Sequence, residues 1–230
     1  MEISKILQET AEKNWHDKLR FIARNFSDIT FSSSFSIEDQ VITNFIAQEN
    51  LAIEIFTIDS GRLPQETHAV WQSTLEKYSL KISAFYPSKN VLSDFVNKEG
   101  INPFYKSKEL RLKCCDIRKV EPLRRALKNK KIWISGVRKE HSATRSAKDF
   151  FEKDEALKLI KFYPLLETNE AELWQEIHQK NIPFNRLYKQ GYSSIGCAPC
   201  TRAIVAGDDI RSGRWWWEED QKKECGLHKI

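Results

Sequence analysis

Four of the five cysteines in this 230-residue chain lie in two close pairs whose spacing could bind a metal. Cys114 and Cys115 are adjacent, and Cys197 and Cys200 form the sequence CAPC. Four thiolates are enough ligands for a zinc ion or for an iron–sulfur cluster. Structural zinc sites usually combine paired CxxC spacings, so the adjacent pair favours a cluster. Zinc and unligated thiols stay open, whereas CAPC lies too far down the chain for a thioredoxin-type redox pair.

The fifth cysteine, Cys225, has the surroundings of a reactive thiol. Lys222 and Lys223 precede it, and His228 follows it in the sequence ECGLH. Nearby positive charge lowers the pKa of a thiol and raises its thiolate fraction at neutral pH. We therefore predict a nucleophile on a flexible C-terminal tail, about 201–230, with an exposed cysteine of no role as the simpler alternative.

Alternating strands and helices must position these cysteines. Apolar residues spaced by three or four over 3–26 predict one amphipathic helix, and Asn169 with Glu172 predicts a capping box at a later helix. The predicted strands are 28–36, 51–59, 80–87, 131–137 and 159–166, and predicted helices include 38–50, one beginning at Pro64, 91–99 and about 107–129. This alternation predicts an α/β fold, doubly wound around a mostly parallel sheet.

The loops after three of these strands are suited to an anionic ligand. In parallel sheets, ligands bind beyond the carboxyl ends of the strands. The three loops are polar or basic, with the sequences SSFSIED, DSGRL and SGVRKEHSATR. Beyond about residue 185 the periodicity fades, and no linker divides the chain. The sequence therefore predicts a single domain over 1–230 with an irregular C-terminal tail.

The loop SSFSIED resembles a degenerate pyrophosphate loop, whose pattern in ATP-splitting enzymes is SGGxDS. Small residues in such a loop let backbone N–H groups approach an anion. Ser33 and Ser34 stand in this region, but the glycines are missing. The loop therefore predicts binding of a single phosphate rather than cleavage of ATP, and an ordinary serine turn before a helix would look similar.

Composition limits the classes of partner. Lys plus Arg exceeds Asp plus Glu by 37 − 32 = 5, a bias too small to indicate nucleic acid. Residues 201–230 hold six Lys or Arg and six Asp or Glu, which argues against a basic nucleic-acid module there. No apolar run is long enough for a membrane span, and the N-terminus lacks the unbroken apolar stretch of a signal peptide. We expect a soluble, cytoplasmic protein.

Six segments together resemble a known family from about residue 30 to the C-terminus. The segments are CCDIRKVEPLRRAL, FTIDSGRLPQET, SGVRKEHSATR, GYSSIGCAPCTRA, GDDIRSGRWWWE and KKECGLH. They are similar to the assimilatory adenylyl-sulfate reductases, the cluster-bearing branch of the APS/PAPS reductase family. The resemblance implies a sheet of the adenine-nucleotide α-hydrolase-like, pyrophosphate-loop type.

The resemblance also implies a cofactor and a reaction. A [4Fe–4S] cluster would be held by Cys114, Cys115, Cys197 and Cys200, and Cys225 would be the nucleophile. Its thiolate would attack the sulfur of adenosine 5′-phosphosulfate (APS), expel AMP and form a thiosulfonate. Thioredoxin would then release sulfite, and a homo-oligomer is a further family expectation.

Substrate-binding residues follow from the same segments. Fixed cations must surround the reacting sulfur, because the nucleophile, the AMP and the sulfuryl group all carry negative charge. Lys119 lies four residues after Cys115, which is one turn of a regular helix. The resemblance places further groups near the phosphosulfate or the nucleoside. The predicted substrate-binding residues are Ser33, Ser34, Asp59, Gly61, Arg62, Leu63, Lys119, Gly136, Arg138, Arg145, Arg211, Arg214 and His228. Trp215–Trp217 is predicted to be a buried anchor for the tail.

Three alternatives remain at this stage. A member of the same family could prefer, or also accept, the 3′-phosphorylated substrate PAPS, although cluster-free members lack both cysteine pairs. An ATP-dependent adenylating enzyme of the pyrophosphate-loop group would need the missing glycines. A zinc-binding or nucleic-acid module would need a concentrated basic patch.

Overall fold

The computed structural model describes residues 3–141, 148–205 and 207–218. The chain divides into two compact units, each built from three segments. The first comprises Met1–Phe56, Ala69–Ser83 and Asn129–Asn185, and the second comprises Thr57–His68, Ala84–Lys128 and Arg186–Ile230. The prediction of a single domain stays a prediction.

Six strands form one sheet in the order β3-β2-β1-β4-β6-β5. Their bounds are β1 Ile29–Ser32, β2 Glu54–Ile58, β3 Ile82–Phe85, β4 Ile132–Ile134, β5 Phe151–Asp154 and β6 Leu159–Phe162. β1 pairs in parallel with both β2 and β4, and β4 pairs in parallel with β6. β5 is antiparallel to its neighbour β6. The predicted mostly parallel α/β sheet is confirmed.

Eight α-helices are present in the described chain. Their bounds are α1 Ile3–Thr10, α2 Trp15–Asn25, α3 Ile37–Gln48, α4 Gln65–Tyr78, α5 Lys89–Glu99, α6 Lys108–Cys115, α7 Glu121–Ala126 and α8 Glu170–Gln179. A π-helical turn, Asp116–Val120, joins α6 directly to α7. None of the described helices has the length and apolar character needed to cross a membrane.

The centre of the sheet lies in the first unit and has one strongly apolar face. Phe31 of β1, Ile132 and Ile134 of β4 and Phe162 of β6 are completely buried. Phe31 and Phe162 both pair with Ile134, and Ile132 is two residues from it, so these side chains share one face. β2 and β3 follow on one side of β1, whereas β4, β6 and β5 lie on its other side. The direction in which strands are added to the sheet therefore reverses between β1 and β4. Such a reversal opens a crevice at the carboxyl ends of the two strands.

Two elements differ from the sequence predictions. The single helix predicted over 3–26 is two helices, because Asn14 begins α2 as a new N-cap and its side chain accepts the N–H of Asp17. The strand β5 was not predicted. It forms a hairpin with β6, and Lys158 takes a left-handed conformation, φ 55°, in the intervening turn. In contrast, the predicted capping box of α8, formed by Asn169 and Glu172, is confirmed.

The second unit carries one long helical run and a mostly irregular chain. The helix predicted over about 107–129 is confirmed as α6, the π turn and α7. In the π turn, the N–H of Glu121 bonds to the carbonyl of Asp116, five residues back. Beyond residue 185, the described residues of the second unit form 3₁₀ turns, bends and one isolated antiparallel bridge between Thr201 and Arg214, so this region is irregular, as predicted. Its core surrounds Phe95, Phe104 and Trp215.

Candidate functional site

Three of the four predicted ligand cysteines lie in one buried cluster of the second unit. Cys114, Cys197 and Cys200 pack with Ile117 and Trp215. These three cysteines are free thiols. Cys115, the last residue of α6, is half-buried, and its sulfur interacts with the guanidinium of Arg111. The structure therefore brings both cysteine pairs into the same unit and collects three thiols in its core.

Backbone hydrogen bonds hold the CAPC segment in a tight turn. The N–H of Cys200 donates to the carbonyl of Cys197 at 2.9 Å, and the hydroxyl of Thr201 donates to the same carbonyl at 3.0 Å. The N–H of Ala198 donates to the carbonyl of Arg62 at 2.8 Å. The DSGRL loop is thus bonded directly to the segment that carries two of the thiols.

Ser60, in that loop, contacts one thiol directly. Its Oγ lies 3.1 Å from Sγ of Cys197, and the side chain is completely buried. The same Oγ accepts the N–H of Arg62, and the Ser60 carbonyl accepts Nη1 of Arg118 at 2.6 Å. When Cys197 is a thiolate, the hydroxyl must be the donor, because a thiolate has no proton to give. Ser60 therefore supplies a hydrogen bond that stabilises negative charge on this sulfur.

Burial keeps two of the thiols protonated in the absence of a ligand. It raises the pKa of Cys200 to about 12, Cys197 adds to the rise, and Lys119 and Arg214 oppose it. Burial also raises the pKa of Cys114, and the nearby Arg118 opposes that rise. A metal group that takes thiolates must displace these protons. The cations are the groups that would compensate the resulting negative charge.

Arg214 is one of the two buried arginines among these cations. Its guanidinium is buried, lies 4.7 Å from the ring of Trp215, and donates from Nε to the carbonyl of Cys200 at 3.3 Å. It also lies against Gly196, where a Cβ atom would come within 2.3 Å of a guanidinium nitrogen. The glycine before CAPC therefore makes room for a cation beside the thiols.

The other predicted cations of the second unit lie around the same cluster. Arg211 stacks over Trp215 at 5.8 Å, and its backbone N–H bonds to Asp209. Lys119 lies on the π turn, so it is not one regular helical turn beyond Cys115 as the sequence analysis assumed. Its charge acts on Cys200 instead. Trp215 is buried, with 1% exposure, whereas Trp216 and Trp217 are half-buried, and the anchor role of these residues stays a prediction.

The thiol cluster has the donor set that iron–sulfur clusters and zinc sites use. Nowhere in the described chain do three His, Cys, Asp or Glu side chains lie close enough to hold one metal ion. The thiols nevertheless share a dry cluster and sense one another's charge. Their chemistry, with cations and a serine donor around them, suits an iron–sulfur cluster on Cys114, Cys115, Cys197 and Cys200.

The predicted nucleoside-binding loop lies beside the cysteines in the second unit. Asp59 accepts the N–H of Gly61 at 2.8 Å and contacts Nε2 of His68 at 3.0 Å. Gly61 has a left-handed conformation, φ 70°, which glycine adopts without strain. The guanidinium of Arg62 donates to the carbonyl of Ile101 and to the side-chain oxygen of Asn102. Half-buried Leu63 completes this loop, and nucleoside binding by these residues stays a prediction.

The serine loop of the first unit follows β1 directly. Ser33 is buried and its N–H bonds to the carbonyl of Phe56, whereas Ser34 is exposed. The N–H and the hydroxyl of Ser34 donate to Oδ2 of Asp39 at 2.6 and 2.7 Å. The N-cap of α3 is Ser36, whose side chain accepts the N–H of Asp39. An internal carboxylate thus holds the loop that was predicted to bind phosphate.

Asp39 is buried, and this raises the pKa of its carboxyl from the ordinary 3.8 to about 6. The nearby Glu38 raises that pKa further, whereas the bonds from Ser34 lower it. Gly136, in the loop after β4, lies against this carboxylate, because a Cβ there would be 2.4 Å from Oδ1 of Asp39. The loops after β1 and β4 therefore meet at a glycine and a buried acid.

Arg138 is buried in the first unit, where it forms one buried ion pair with Glu38 and a second with the exposed Glu140. Its Nε lies 2.9 Å from Oε1 of Glu38, and its Nη1 pairs with Glu140 and with the carbonyl of Thr168. Its side chain is 3% exposed. The prediction that Arg138 binds an anion stays untested, but the guanidinium here has two carboxylates as partners.

Three predicted site residues, Arg145, Cys225 and His228, lie outside the described residues. Conversely, sequence analysis missed Ser60 and Arg118, which contact the cysteine cluster, and Asp39, which holds the serine loop. Arg118 stands three residues after Cys115, so its position in a helical run could have indicated it. Ser60 gave no such signal, because its sulfur partner is far away in sequence.

Comparison with known proteins identifies relatives over most of the chain. The family model for the phosphoadenosine phosphosulfate reductase domain matches residues 28–203. An adenosine 5′-phosphosulfate reductase of Allochromatium vinosum is 44% identical over 90% of this chain and 81% of its own. The enzyme of the same name from Neisseria meningitidis is 45% identical over 92% of this chain and 87% of its own.

Solved structures share the fold at lower identity. A phosphoadenylyl-sulfate reductase of Candida auris, in a phosphate complex, superposes with a TM-score of 0.74 over 88% of this chain and 96% of its own, at 22% identity. An FMN adenylyltransferase of Candida glabrata has a TM-score of 0.56 over 98% of this chain and 76% of its own, at 16% identity. These likenesses confirm the predicted fold.

Proposed function

Because the chain belongs to the phosphoadenosine phosphosulfate reductase family, we propose that it reduces adenosine 5′-phosphosulfate to sulfite and AMP in sulfate assimilation. The reductant is thioredoxin, and the reaction passes through a thiosulfonate on Cys225. The observation that carries this proposal is the buried cluster of Cys114, Cys197 and Cys200 among cationic side chains. The names of relatives at 43–45% identity support APS as the substrate.

The proposed chemistry is a two-electron reduction of sulfur in three displacement steps. The thiolate of Cys225 attacks the sulfuryl sulfur of APS, an S–S bond forms, and the S–O bond to AMP breaks. One thiolate of thioredoxin then attacks Sγ of Cys225 and expels sulfite, leaving a mixed disulfide. The second thiolate of thioredoxin resolves it and restores Cys225. Thioredoxin ends as a disulfide, so its two thiols supply both electrons.

The chain's own cations neutralise charge in the first step. Lys119 and Arg214 compensate negative charge at Cys200, and we assign Arg211 and His228 to the phosphosulfate group. Arg guanidinium matches the two-oxygen geometry of sulfate and phosphate. Fixed cations that need no reorganisation lower the barrier where charge accumulates.

The four cysteines of the two pairs would hold a [4Fe–4S] cluster as resident cofactor. When bound, the cluster supplies a fixed charge distribution near the substrate sulfur rather than the reducing electrons. Ser60 stabilises the thiolate of Cys197, and Arg118 stabilises that of Cys114. Free cysteines that bind an iron–sulfur cluster are typical of a reducing compartment, so we assign the protein to the cytoplasm.

Intact-protein mass spectrometry tests the proposal. The anaerobically purified protein is incubated with APS or with PAPS in the absence of thioredoxin. We expect a covalent adduct of one SO₃ group with APS, its loss in Cys225→Ser, and its release as sulfite when reduced thioredoxin is added. No adduct from either nucleotide, with iron bound, would overturn the proposed reaction.

The same experiment tests the second candidate, a reductase that also accepts PAPS. The description of the matching family model, phosphoadenosine phosphosulfate reductase domain, favours this alternative. Equal adducts from both nucleotides would keep the chemistry and change the substrate assignment. The variant Cys197→Ser serves as the cofactor control, because it should lose iron while Cys225→Ser retains it.

A further inference from the structure

The carboxylate of Asp39 already occupies donors that the serine loop could offer to a bound anion. Its Oδ2 accepts both the N–H and the hydroxyl of Ser34, at 2.6 and 2.7 Å. Asp39 is only 5% exposed, so this carboxylate is enclosed by the protein. Donors that converge on one charged oxygen are the means by which a loop binds a phosphate group. Asp39 is therefore an internal anion of the serine loop.

Three further N–H groups of the loop have partners within the first unit. The N–H of Ser33 donates to the carbonyl of Phe56 at 2.8 Å, and the N–H of Phe35 donates to Oγ of Ser33 at 3.3 Å. The N–H of Asp39, in the first turn of α3, donates to Oγ of Ser36 at 3.3 Å. A phosphate group could bind these donors only by breaking hydrogen bonds that the fold already makes.

Packing on two sides holds the loop in this conformation. Phe35 has a left-handed backbone, φ 60°, which a bulky residue adopts only when its surroundings impose it. Its side chain is buried and stacks on Trp71, with the ring centroids 5.4 Å apart. On the other side, a Cβ at Gly136 would lie 2.4 Å from Oδ1 of Asp39. Both oxygens of the Asp39 carboxylate are therefore enclosed by loops of the first unit.

The charges around the loop oppose the entry of a second anion. Glu38 is buried beside Asp39, and the two carboxylates interact electrostatically. Arg138 pairs with Glu38 at 2.9 Å and also with Glu140. Three carboxylates thus share this guanidinium, and like charges repel strongly where little water screens them. A group with several negative charges, such as pyrophosphate, would meet this repulsion directly.

ATP and APS differ only in the group attached to AMP, which is pyrophosphate in ATP and sulfate in APS. A site for APS must therefore distinguish nucleotides beyond their first phosphate. We propose that Asp39 is a specificity-determining residue, whose carboxylate takes the place of a phosphate in the serine loop and so excludes nucleotides that would place a pyrophosphate there. This role presupposes the proposed function, because an adenine nucleotide must enter the site.

Isothermal titration calorimetry with AMP and with ATP, in magnesium-free buffer, tests this role on the protein with its cofactor bound. Asp39→Ser removes the charge and shortens the side chain, so that Ser34 can donate to a ligand. Asp39→Asn removes the charge and keeps the shape. Because hydrogen bonds to a charged ligand are gained and repulsion is lost, we expect Asp39→Ser to bind ATP about 10- to 100-fold more tightly than the wild type. The affinity for AMP should change by less than about threefold.

A double variant and a matched acid locate the effect. Adding Ser34→Ala to Asp39→Ser should reduce the gained ATP affinity by about tenfold, because the hydroxyl is one of the two donors that Asp39→Ser frees. Asp154 is another buried carboxylate of the first unit, 2.6 Å from Nζ of Lys161 and 7% exposed. Asp154→Asn should bind ATP and AMP as the wild type does.

Three results would overturn the role of Asp39. They are ATP affinities of both Asp39 variants within about twofold of the wild type, equal gains for ATP and AMP, and a gain that Ser34→Ala leaves unchanged. If Asp39→Ser does not fold, Asp39→Asn decides, with an expected gain of at least about threefold from lost repulsion. A wild-type protein that forms no SO₃ adduct with APS would overturn the proposed function. A normal adduct with unchanged ATP affinity in the variants would overturn the role of Asp39 alone.

Discussion

The guanidinium of Arg214 lies against the α-carbon of Gly196, where a Cβ atom would be 2.3 Å from Nη2 and 2.6 Å from Cζ. The glycine is therefore required by its neighbour and not by its own backbone conformation. It lets a buried cation reach the carbonyl of Cys200 and lower the pKa of that thiol. The residue before CAPC is thus part of the electrostatic environment of the cysteines.

Gly196→Ala should expel the Arg214 guanidinium from this position. The added methyl group overlaps a buried side chain, and such overpacking lowers the free energy of unfolding by about 1–3 kcal/mol. The midpoint of urea unfolding measures the loss, and the rate of iron release to a chelator reports whether the cation also protects the bound cluster.

Arg214→Ala provides the comparison for that experiment. Once the guanidinium is gone, the alanine at position 196 meets no obstacle, so the double variant should be no less stable than Arg214→Ala alone. Additive losses of stability would contradict the steric explanation.

Ser60→Ala should remove the hydrogen bond that stabilises negative charge on the Cys197 sulfur. It removes the Oγ that lies 3.1 Å from the sulfur, and a hydrogen bond to a charged group is worth about 1.5–3 kcal/mol. We expect faster loss of iron and a changed reduction potential of the bound cluster, measured by chelation and by potentiometric titration. Ser88→Ala is the matched control, because Ser88 caps α5 without a side-chain hydrogen bond and should leave both quantities unchanged.

Lys119→Met should reduce turnover without removing a cysteine ligand. The ammonium group acts on the buried thiols from the π turn, and loss of a fixed charge at a reacting centre costs about 100-fold or more in rate. We expect kcat/KM for APS to fall by about this factor while iron content is retained. Lys113→Met changes an exposed lysine of α6 and should have little effect, and equal losses in both variants would show that Lys119 has no particular role.

Asp39 should make the stability of the fold depend on pH. Burial raises the pKa of its carboxyl from 3.8 to about 6, so the folded state resists ionisation. Below about pH 4 the carboxyl is protonated in both the folded and the unfolded state, so it costs no folding free energy. Above about pH 6 it is ionised in both states, and the full cost of burying the charged carboxylate lowers the free energy of unfolding. The rise corresponds to about 3 kcal/mol of unfolding free energy.

Asp39→Asn should therefore gain stability relative to the wild type as pH rises. Roughly half of the expected difference develops between pH 5 and pH 8, where urea unfolding followed by tryptophan fluorescence can measure it. The comparison uses both proteins with their cofactor bound, so that other titrating groups cancel. A difference between the two proteins that does not change with pH would show that Asp39 ionises normally.

The sheet could be predicted from sequence because its strands are short apolar runs separated by helical periodicity. Periodicity is a local property, and it located β1, β4 and β6 within a few residues of their observed ends. β5 escaped because its sequence FEKD contains three charged residues, and only pairing with β6 makes it a strand. The break between α1 and α2 could not be predicted from periodicity, because the apolar spacing continues across the residue, Asn14, that caps the second helix.

The candidate site could be predicted only at residues whose type and spacing indicate a particular chemistry. Cysteine pairs have few uses besides metal binding and redox chemistry where disulfides are not expected, so the sequence alone singled out all four as candidates. The role of Ser60 depends on a partner 137 residues away, and no pattern in its own neighbourhood indicates that contact. Arg138 shows the converse, since a lone arginine in a polar loop gives no sign that Glu38, 100 residues away, will be its partner.

The π turn after Cys115 places one more residue in a helical turn than a regular helix would hold. Deleting a residue from Asp116–Val120 would restore regular pairing and give a locally better helix, but it would rotate all of α7 by about 100° relative to α6. Arg118 and Lys119 would then point away from Ser60 and Cys200. A regular helix here would no longer hold these two cations beside the cysteines. The π turn is therefore the feature that selection for activity would preserve.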